Sequence, residues 1–366
     1  MKEFTSPGIV VLFGSGEASP VAGPVYETLL RRMGRSTSPR IAVLETPAGF
    51  EPNSPQVAGR IADFLRRRLT PFSPIVEVVP ARKRGTLFTP DDPALLEGVL
   101  RADLVFLGPG SPTYAVRQLS GSGIWHAVTA RHLLGGTTVL ASAAMVAAGA
   151  LALPVYEIFK VGEDPRWEEG LDLMGRHGLS LVLVPHWNNA DGGKELDTSR
   201  CYVGRDRFDV LCRLIEGDRT IVGLDEGTAL VIDPSEGRGE VLGSGGVTLI
   251  RSGRESVYTA TQTFPLTELG PFRMASGRGD VAADVWEAAV AALPPSGPAA
   301  QVVPEAPAEV RRLIEEREEA RARNDWAAAD TLRQRILASG WEVKDTLDGP
   351  VADPASSRIR TRYPGT

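Results

Sequence analysis

At 366 residues the chain exceeds one ordinary domain and suits a large domain with an appendage. Its 42% hydrophobic content can build a substantial core, and a net charge of −6 argues against a nucleic-acid-binding surface over the whole chain. Two cysteines, Cys201 and Cys212, without a CxxC pair, exclude a disulfide framework and a zinc site of the usual spacing.

Both cysteines are expected as small buried residues on one helical segment. The N-terminal residues have no apolar signal core and no apolar stretch approaches the length of a membrane span, so a cytoplasmic protein is expected.

Strand-like runs at 8–13, 41–44, 75–79, 104–107, 137–141 and 179–184 alternate with helix-periodic segments at 26–33, 56–69, 94–100 and 127–134. This alternation predicts an α/β fold with a doubly wound, mostly parallel sheet covered on both faces. Residues 220–233 and 239–251 read as two long antiparallel strands that close one edge, with a turn-rich loop between them. A last helix follows at 280–292, which completes a first domain at 1–292. Residues 293–307 form a Pro/Ala-rich linker. Within 308–350, two charged helices at 308–323 and 326–338 make a hairpin that stops at Ser339-Gly340. Residues 351–366 are expected to be a disordered tail.

Three strand ends carry chemistry. In Leu140-Ala-Ser-Ala-Ala-Met145, Ser142 stands between a strand and a helix-compatible run, the context in which a serine can be held exposed as a nucleophile. The same residue also reads as a small buried side chain in an alanine-rich turn. Of the four histidines, His126, His132 and His177 read as surface or boundary residues. His186 follows the strand ending at Val184 and has Trp187, Asn188 and Asn189 beside it, a placement that suits a general base. Asp225 and Glu226 lie inside an apolar strand run, where an unpaired buried charge is costly and period-2 alternation would aim the two at opposite faces, so only one can orient an imidazole. Two glycine turns, Gly14-Ser-Gly-Glu17 and Gly108-Pro-Gly-Ser-Pro112, end the first and fourth strands. The second could supply an oxyanion-stabilising N–H from Gly110; either could instead hold a phosphate or simply connect elements.

Together these segments resemble the peptidase S51 family, the group of cyanophycinase and aspartyl dipeptidase in the class I glutamine amidotransferase-like superfamily. The segment Gly223-Leu-Asp-Glu-Gly-Thr-Ala229 is most similar to the family pattern, and the resemblance covers about residues 8–233. It implies a serine nucleophile at Ser142, a base at His186 and an orienting acid at Glu226, with Asp225 as second choice. It also implies an oxyanion hole from the backbones of Gly110 and Ala143, no cofactor and no metal. Arginines after the histidine are implied as ligands of an acidic substrate group, here Arg200, Arg205 and Arg207, which read equally as ordinary exposed helix residues. Asn188, by its place beside His186, is a further candidate substrate-binding residue. The serine turn departs from the family's Gly-x-Ser-Ala-Gly pattern by carrying Leu140 and Ala144 in place of the glycines.

A second resemblance joins residues 313–346 to the C-terminal end of cysteinyl-tRNA synthetase. No segment resembles a synthetase's catalytic motifs, so aminoacylation is not expected. The expected function is a serine hydrolase of S51 type that cleaves a small peptide or amide through an acyl-enzyme. The alternative is a catalytically inactive binding protein of the same fold, associated with tRNA or translation through its hairpin. Arg311, Arg312, Arg321 and Arg323 are the candidate tRNA contacts, with Glu309, Glu315, Glu316, Glu318 and Glu319 interleaved. A small peptide-like substrate, no membrane and a homodimer are the expected partnerships.

Overall fold

The computed structural model describes residues 6–33, 38–293, 307–323, 325–346 and 349–354. The expected linker lies outside the described residues except at its two ends, and the expected tail lies outside them beyond residue 354. The chain divides into two compact units, residues 1–294 and 295–366.

In the first unit, short apolar strands alternate with helices. The strands are β1 (Val10–Phe13), β2 (Arg40–Leu44), β3 (Ile75–Val79), β4 (Leu104–Leu107) and β5 (Thr137–Ala141). The helices among them are α1 (Ala22–Arg32), α2 (Ser54–Arg68), α3 (Pro93–Leu100), α4 (Pro112–Leu119) and α5 (Gly123–Leu133). Starts of the last three are written in the sequence. The side chains of Asp92, Ser111 and Ser122 accept N–H bonds from Ala94, Tyr114 and Trp125, and proline occupies the first turn of α3 and α4.

Then follow α6 (Ala143–Ala147), β6 (Leu151–Ala152), β7 (Glu168–Glu169), β8 (Leu181–Val184) and α7 (Arg205–Arg213). The unit ends with β9 (Thr220–Leu224), β10 (Thr228–Asp233), β11 (Arg238–Gly243), β12 (Gly246–Arg251), β13 (Arg254–Thr259), β14 (Thr263–Pro265) and α8 (Ala283–Ala292).

An eight-stranded sheet runs β14-β11-β10-β1-β5-β4-β2-β3, parallel from β1 through β3 and antiparallel on the β10 side. Alternate strand residues feed two cores. Val11, Phe13, Ile41, Val43, Phe106 and Val139 pack against α1 and α2. Val10, Leu12, Ala42, Leu44, Val105 and Leu140 join the other face with α5 and α8.

The single expected sheet is two. A second, six-stranded sheet runs β13-β12-β9-β8-β6-β7. The reason is that each long run expected at 220–233 and 239–251 breaks in the middle. Gly227 (φ +67°) and Gly243 (φ +103°) adopt left-handed backbone there, and a Cβ on Gly243 would stand 2.2 Å from the Gly227 carbonyl oxygen. β10 and β11 therefore stay in the first sheet while β9 and β12 enter the second. Asp225 and Glu226 accordingly sit in a turn, where strand alternation does not apply.

Other expectations also change. His132 and His177 are fully buried, with their Nε2 atoms 2.9 Å apart, because α5 is covered along most of its circumference. Cys201 lies in an irregular turn and only Cys212 is helical, in α7.

The second unit holds α9 (Ala308–Ala322) and α10 (Trp326–Ala338), with the Asp325 side chain capping α10. Its core is small: Val310, Leu313, Ile336 and Val343. An antiparallel ribbon of β15 (Trp341–Thr346) and β16 (Gly349–Pro354) follows. Residues 351–354 thus pair with β15, where disorder was expected, since ribbon pairing satisfies their backbone groups. Among the described residues no helix is long and apolar enough to cross a membrane.

Candidate active site

The site forms where the C-terminal ends of parallel strands from both sheets converge, the usual working edge of an open α/β sheet. β5 delivers Ser142, β8 delivers His186, and the β9–β10 turn delivers Glu226. Backbone bonds join these ends. The His186 N–H donates to the Gly14 carbonyl (3.1 Å), the Trp187 N–H to Leu224 (2.9 Å), the Ser142 N–H to Phe13 (3.3 Å) and the Gly14 N–H to Thr228 (2.9 Å).

Ser142 Oγ lies 3.1 Å from His186 Nε2, and His186 Nδ1 lies 2.8 Å from Glu226 Oε1. A carboxylate only accepts, so Nδ1 carries the ring proton and Nε2 presents its lone pair to the serine hydroxyl. The imidazole is mostly enclosed, with 14% of its side chain exposed, against 38% for Glu226. Asn189 donates its amide to the same Glu226 Oε1 (2.9 Å), and Asn188 Oδ1 accepts the Glu226 backbone N–H (2.9 Å). The carboxylate of Asp225 faces elsewhere and accepts the Gly246 N–H (2.9 Å).

Ser142 adopts φ +49° and ψ −115° at the head of α6, a conformation that L-residues rarely take. Leu140 and Ala144, which replace the expected glycines, both turn their side chains into the main core. The turn therefore closes without glycine at either place, and the unusual backbone angles fall on the serine itself.

Ala143 is the first residue of α6, so its N–H has no intrahelical acceptor. The turn after β4 is tied alongside, because the Ala144 N–H donates to the Gly108 carbonyl (3.3 Å). Gly110 has φ +148°, and a Cβ there would fall 1.8 Å from the Pro47 carbonyl oxygen. Only glycine fits.

Of the expected substrate-binding residues, Asn188 is exposed beside the relay. Arg200 stacks its guanidinium over the Trp187 ring (3.7 Å to the centroid) and donates to the Trp187 carbonyl (2.9 Å). The backbone N–H of Arg205 goes to Asp197 (2.9 Å). Among the described residues neither arginine makes a hydrogen bond or ion pair with Ser142, His186 or Glu226. Gly223 makes room for Trp187, since a Cβ would stand 2.3 Å from that ring.

Three residues join the site that sequence reading did not single out. Asn189, noted only as a neighbour of His186, holds Glu226. Glu17, in the first glycine turn, is raised above the ordinary carboxylate range by burial, while a backbone hydrogen bond and then His186 pull it down. Tyr202 lies against His186, with ring centroids 5.3 Å apart. It belongs to a run of three L-residues in left-handed backbone, Arg200 (φ +58°), Cys201 (φ +60°) and Tyr202 (φ +70°), each costing about 1–2 kcal/mol. No residue type in that run announces such a turn. The Cys201 thiol is pushed up to about 12 by burial, which leaves it protonated and unreactive. Among the described residues no cluster of His, Cys, Asp or Glu could hold a metal.

The first unit's architecture recurs in the crystal structure of a peptidase from an acI-B1 actinobacterium, with a TM-score of 0.57 and 20% identity. That match covers 71% of this chain and 97% of the other. Residues 303–349 match the family model of the cysteinyl-tRNA ligase anticodon binding domain. The cysteine–tRNA ligases of Methanosarcina mazei (52% identity over 46 residues) and Rubrobacter xylanophilus (49% over 47) are similar over 13% of this chain. This chain spans about a tenth of the length of those curated relatives. The first unit thus has the α/β fold of the actinobacterial peptidase, and the second is similar to the end segment of cysteine–tRNA ligases.

Proposed function

We propose that the first unit is a serine hydrolase that cleaves a small peptide or related amide through an acyl-enzyme. The observation that carries this reading is the continuous relay from Ser142 through His186 to Glu226, joined to a strained serine.

As Ser142 Oγ attacks the scissile carbonyl carbon, its proton passes to His186 Nε2. Glu226 holds the ring and offsets the charge it acquires. The N–H groups of Ala143 and Gly110 receive the developing oxyanion. Collapse expels the amine, which takes the proton from His186 and leaves the acyl group on Oγ. Water then gives a proton to His186, attacks the ester, and releases the acid as the proton returns to Ser142. Asn188 supplies its exposed amide to the substrate in this scheme.

A fluorophosphonate probe tests the reading. Labelling of the folded chain at Ser142, lost in Ser142→Ala, is the expected result. A folded chain that stays unlabelled overturns it and leaves a binding protein of the same fold.

A second reading concerns the other unit, and the match of residues 303–349 favours it. We propose that this unit contacts tRNA through arginines of α9 and its C-terminal cap, Arg311, Arg312, Arg321 and Arg323. Several of these are already paired within the helix, Arg312 with Glu316 (3.4 Å), Arg321 with Glu318 (3.6 Å) and Arg323 with Glu319 (3.7 Å), which limits the free positive charge. Expected is salt-sensitive tRNA binding by the full chain, weakened by Arg312→Glu with Arg323→Glu. Equal binding by that double variant removes the arginines from the interface.

A further inference from the structure

We infer that Tyr202 is a positioning residue for His186, and that the left-handed turn at residues 200–202 exists to seat its ring on the imidazole. The inference rests on His186 acting as the base of the proposed hydrolase.

Three neighbouring L-residues in left-handed backbone persist only where surrounding structure fixes them. Here the fixing bonds are specific. The Cys201 N–H donates to the His186 carbonyl (3.2 Å), the Arg200 N–H to the Trp187 carbonyl (3.0 Å), and the Tyr202 N–H to Thr198 (2.9 Å). The turn is thereby stitched to the two residues that carry the base. His186 is itself left-handed at φ +50°, so both strained segments face each other across these bonds.

The product of this arrangement is a ring contact. Tyr202 lies tilted by 50° on His186 at 5.3 Å, and Phe159 backs Tyr202 at 5.8 Å. The Tyr202 hydroxyl donates to Asp191 Oδ2 (3.4 Å), which fixes its far end. Burial, reinforced by Asp191, Glu226 and Cys201, pushes that hydroxyl up to about 12, so the ring stays neutral. An uncharged aromatic ring within about 6 Å of a cation attracts it through its π quadrupole. When His186 takes the serine proton, the charge therefore forms beside Tyr202 as well as beside Glu226. The ring also excludes water from that side of the imidazole.

The groups that face His186 can be named. Glu226 approaches Nδ1 from the β9–β10 turn, Glu17 acts from the β1–α1 turn, and Ser142 meets Nε2. Tyr202 and the neutral Cys201 complete the set, with Asp191 behind Tyr202. A purely structural alternative is that the turn serves only to bury Cys201 and to stack Arg200 on Trp187.

The full chain, Tyr202→Leu and Tyr202→Phe separate the two. Two profiles are followed against pH: the fluorophosphonate labelling rate at Ser142, and the imidazole C–H resonances of His186 by NMR. In Tyr202→Leu the plateau labelling rate is expected to fall about five- to tenfold, and both midpoints to move down by roughly half a pH unit. Tyr202→Phe keeps the ring and is expected to restore both. Midpoints that coincide in the wild type and Tyr202→Leu overturn the inference, since a structural role moves yield and stability alone. If the wild type does not label, the hydrolase reading fails while the NMR midpoints still decide the role of Tyr202. Should Tyr202→Leu not fold, Tyr202→Met, unbranched, adaptable in packing and also without a π face, takes its place.

Discussion

Glu226 meets His186 through a single oxygen, Oε1, which lies 2.8 Å from ring Nδ1 and also accepts the Asn189 amide. That geometry fixes which ring nitrogen is protonated. Glu226→Gln can present an N–H to Nδ1 and so favours the tautomer with its proton on Nε2, facing the serine. Labelling of Ser142 is expected to fall by roughly 10³- to 10⁴-fold, as wrong-tautomer substitutions do. Asp225→Asn, whose parent carboxylate serves the Gly246 N–H, is expected to change the rate by less than about tenfold. Equal losses in the two variants would contradict the assignment of roles within this acidic pair.

Gly110 offers a test of the oxyanion turn. Gly110→Ala must place a methyl 1.8 Å from the Pro47 carbonyl oxygen at φ +148°, so the turn has to move. Losing one oxyanion donor costs about 10²–10³ in rate. The labelling rate is expected to fall by that order, with a thermal midpoint several degrees lower. A variant that labels at the wild-type rate would remove Gly110 from the oxyanion site.

Much of this site was legible because its residues sit at the ends of apolar strands, and such runs announce themselves by composition. Ser142 is the first residue past β5, and His186 and Glu226 are each the second residue past β8 and β9. What stayed hidden depended on tertiary structure. The division of 220–233 between two sheets follows from left-handed glycines whose partners lie elsewhere in the chain, Gly227 against Ser244 and Gly243 against Gly227 itself. The turn carrying Tyr202 contains no glycine at 200–202, so nothing in its residue types signals it. His132, on a helical stretch, and His177, in what reads as a loop, look like surface residues because a single histidine reads the same whether covered or not. The serine turn departs from the glycine pattern at Leu140 and Ala144, but both are core residues and the strain lies between them.

That strain is measurable without any substrate. Ser142→Ala and Ser142→Gly both lose the hydroxyl and its bond to His186, so their difference isolates the backbone. Glycine tolerates φ +49° and ψ −115° far better than alanine, although it also gains more freedom when unfolded. Ser142→Gly is expected to be more stable than Ser142→Ala by about 1 kcal/mol, within the usual range for such strained residues. Chemical denaturation of the two variants side by side checks it. A less stable glycine variant would mean that the serine turn is unstrained.

The buried histidine pair sets a pH limit on the fold. The Ala275 N–H donates to His177 Nδ1 (3.4 Å), which puts the His177 proton on Nε2, facing His132 Nε2. His132 then keeps its own proton on Nδ1, a buried atom with no partner among the described residues. Burial first, then His177 and Arg176, lower His132 from 6.5 to about 3, and burial lowers His177 as well. A depressed folded value means that the unfolded chain binds the proton first. The contribution of His132 is therefore fully present above pH 6.5 and is lost as pH falls from there toward 3. At pH 5 the unfolded state gains about 2 kcal/mol from protonating this one residue. Urea denaturation at pH 7.5 and pH 5 should show that loss in the wild type. In His132→Gln the overall stability should fall, because the pair is broken, while the difference between the two pH values should shrink by about 2 kcal/mol. An undiminished difference would place the acid sensitivity in other groups and leave the pair as packing alone.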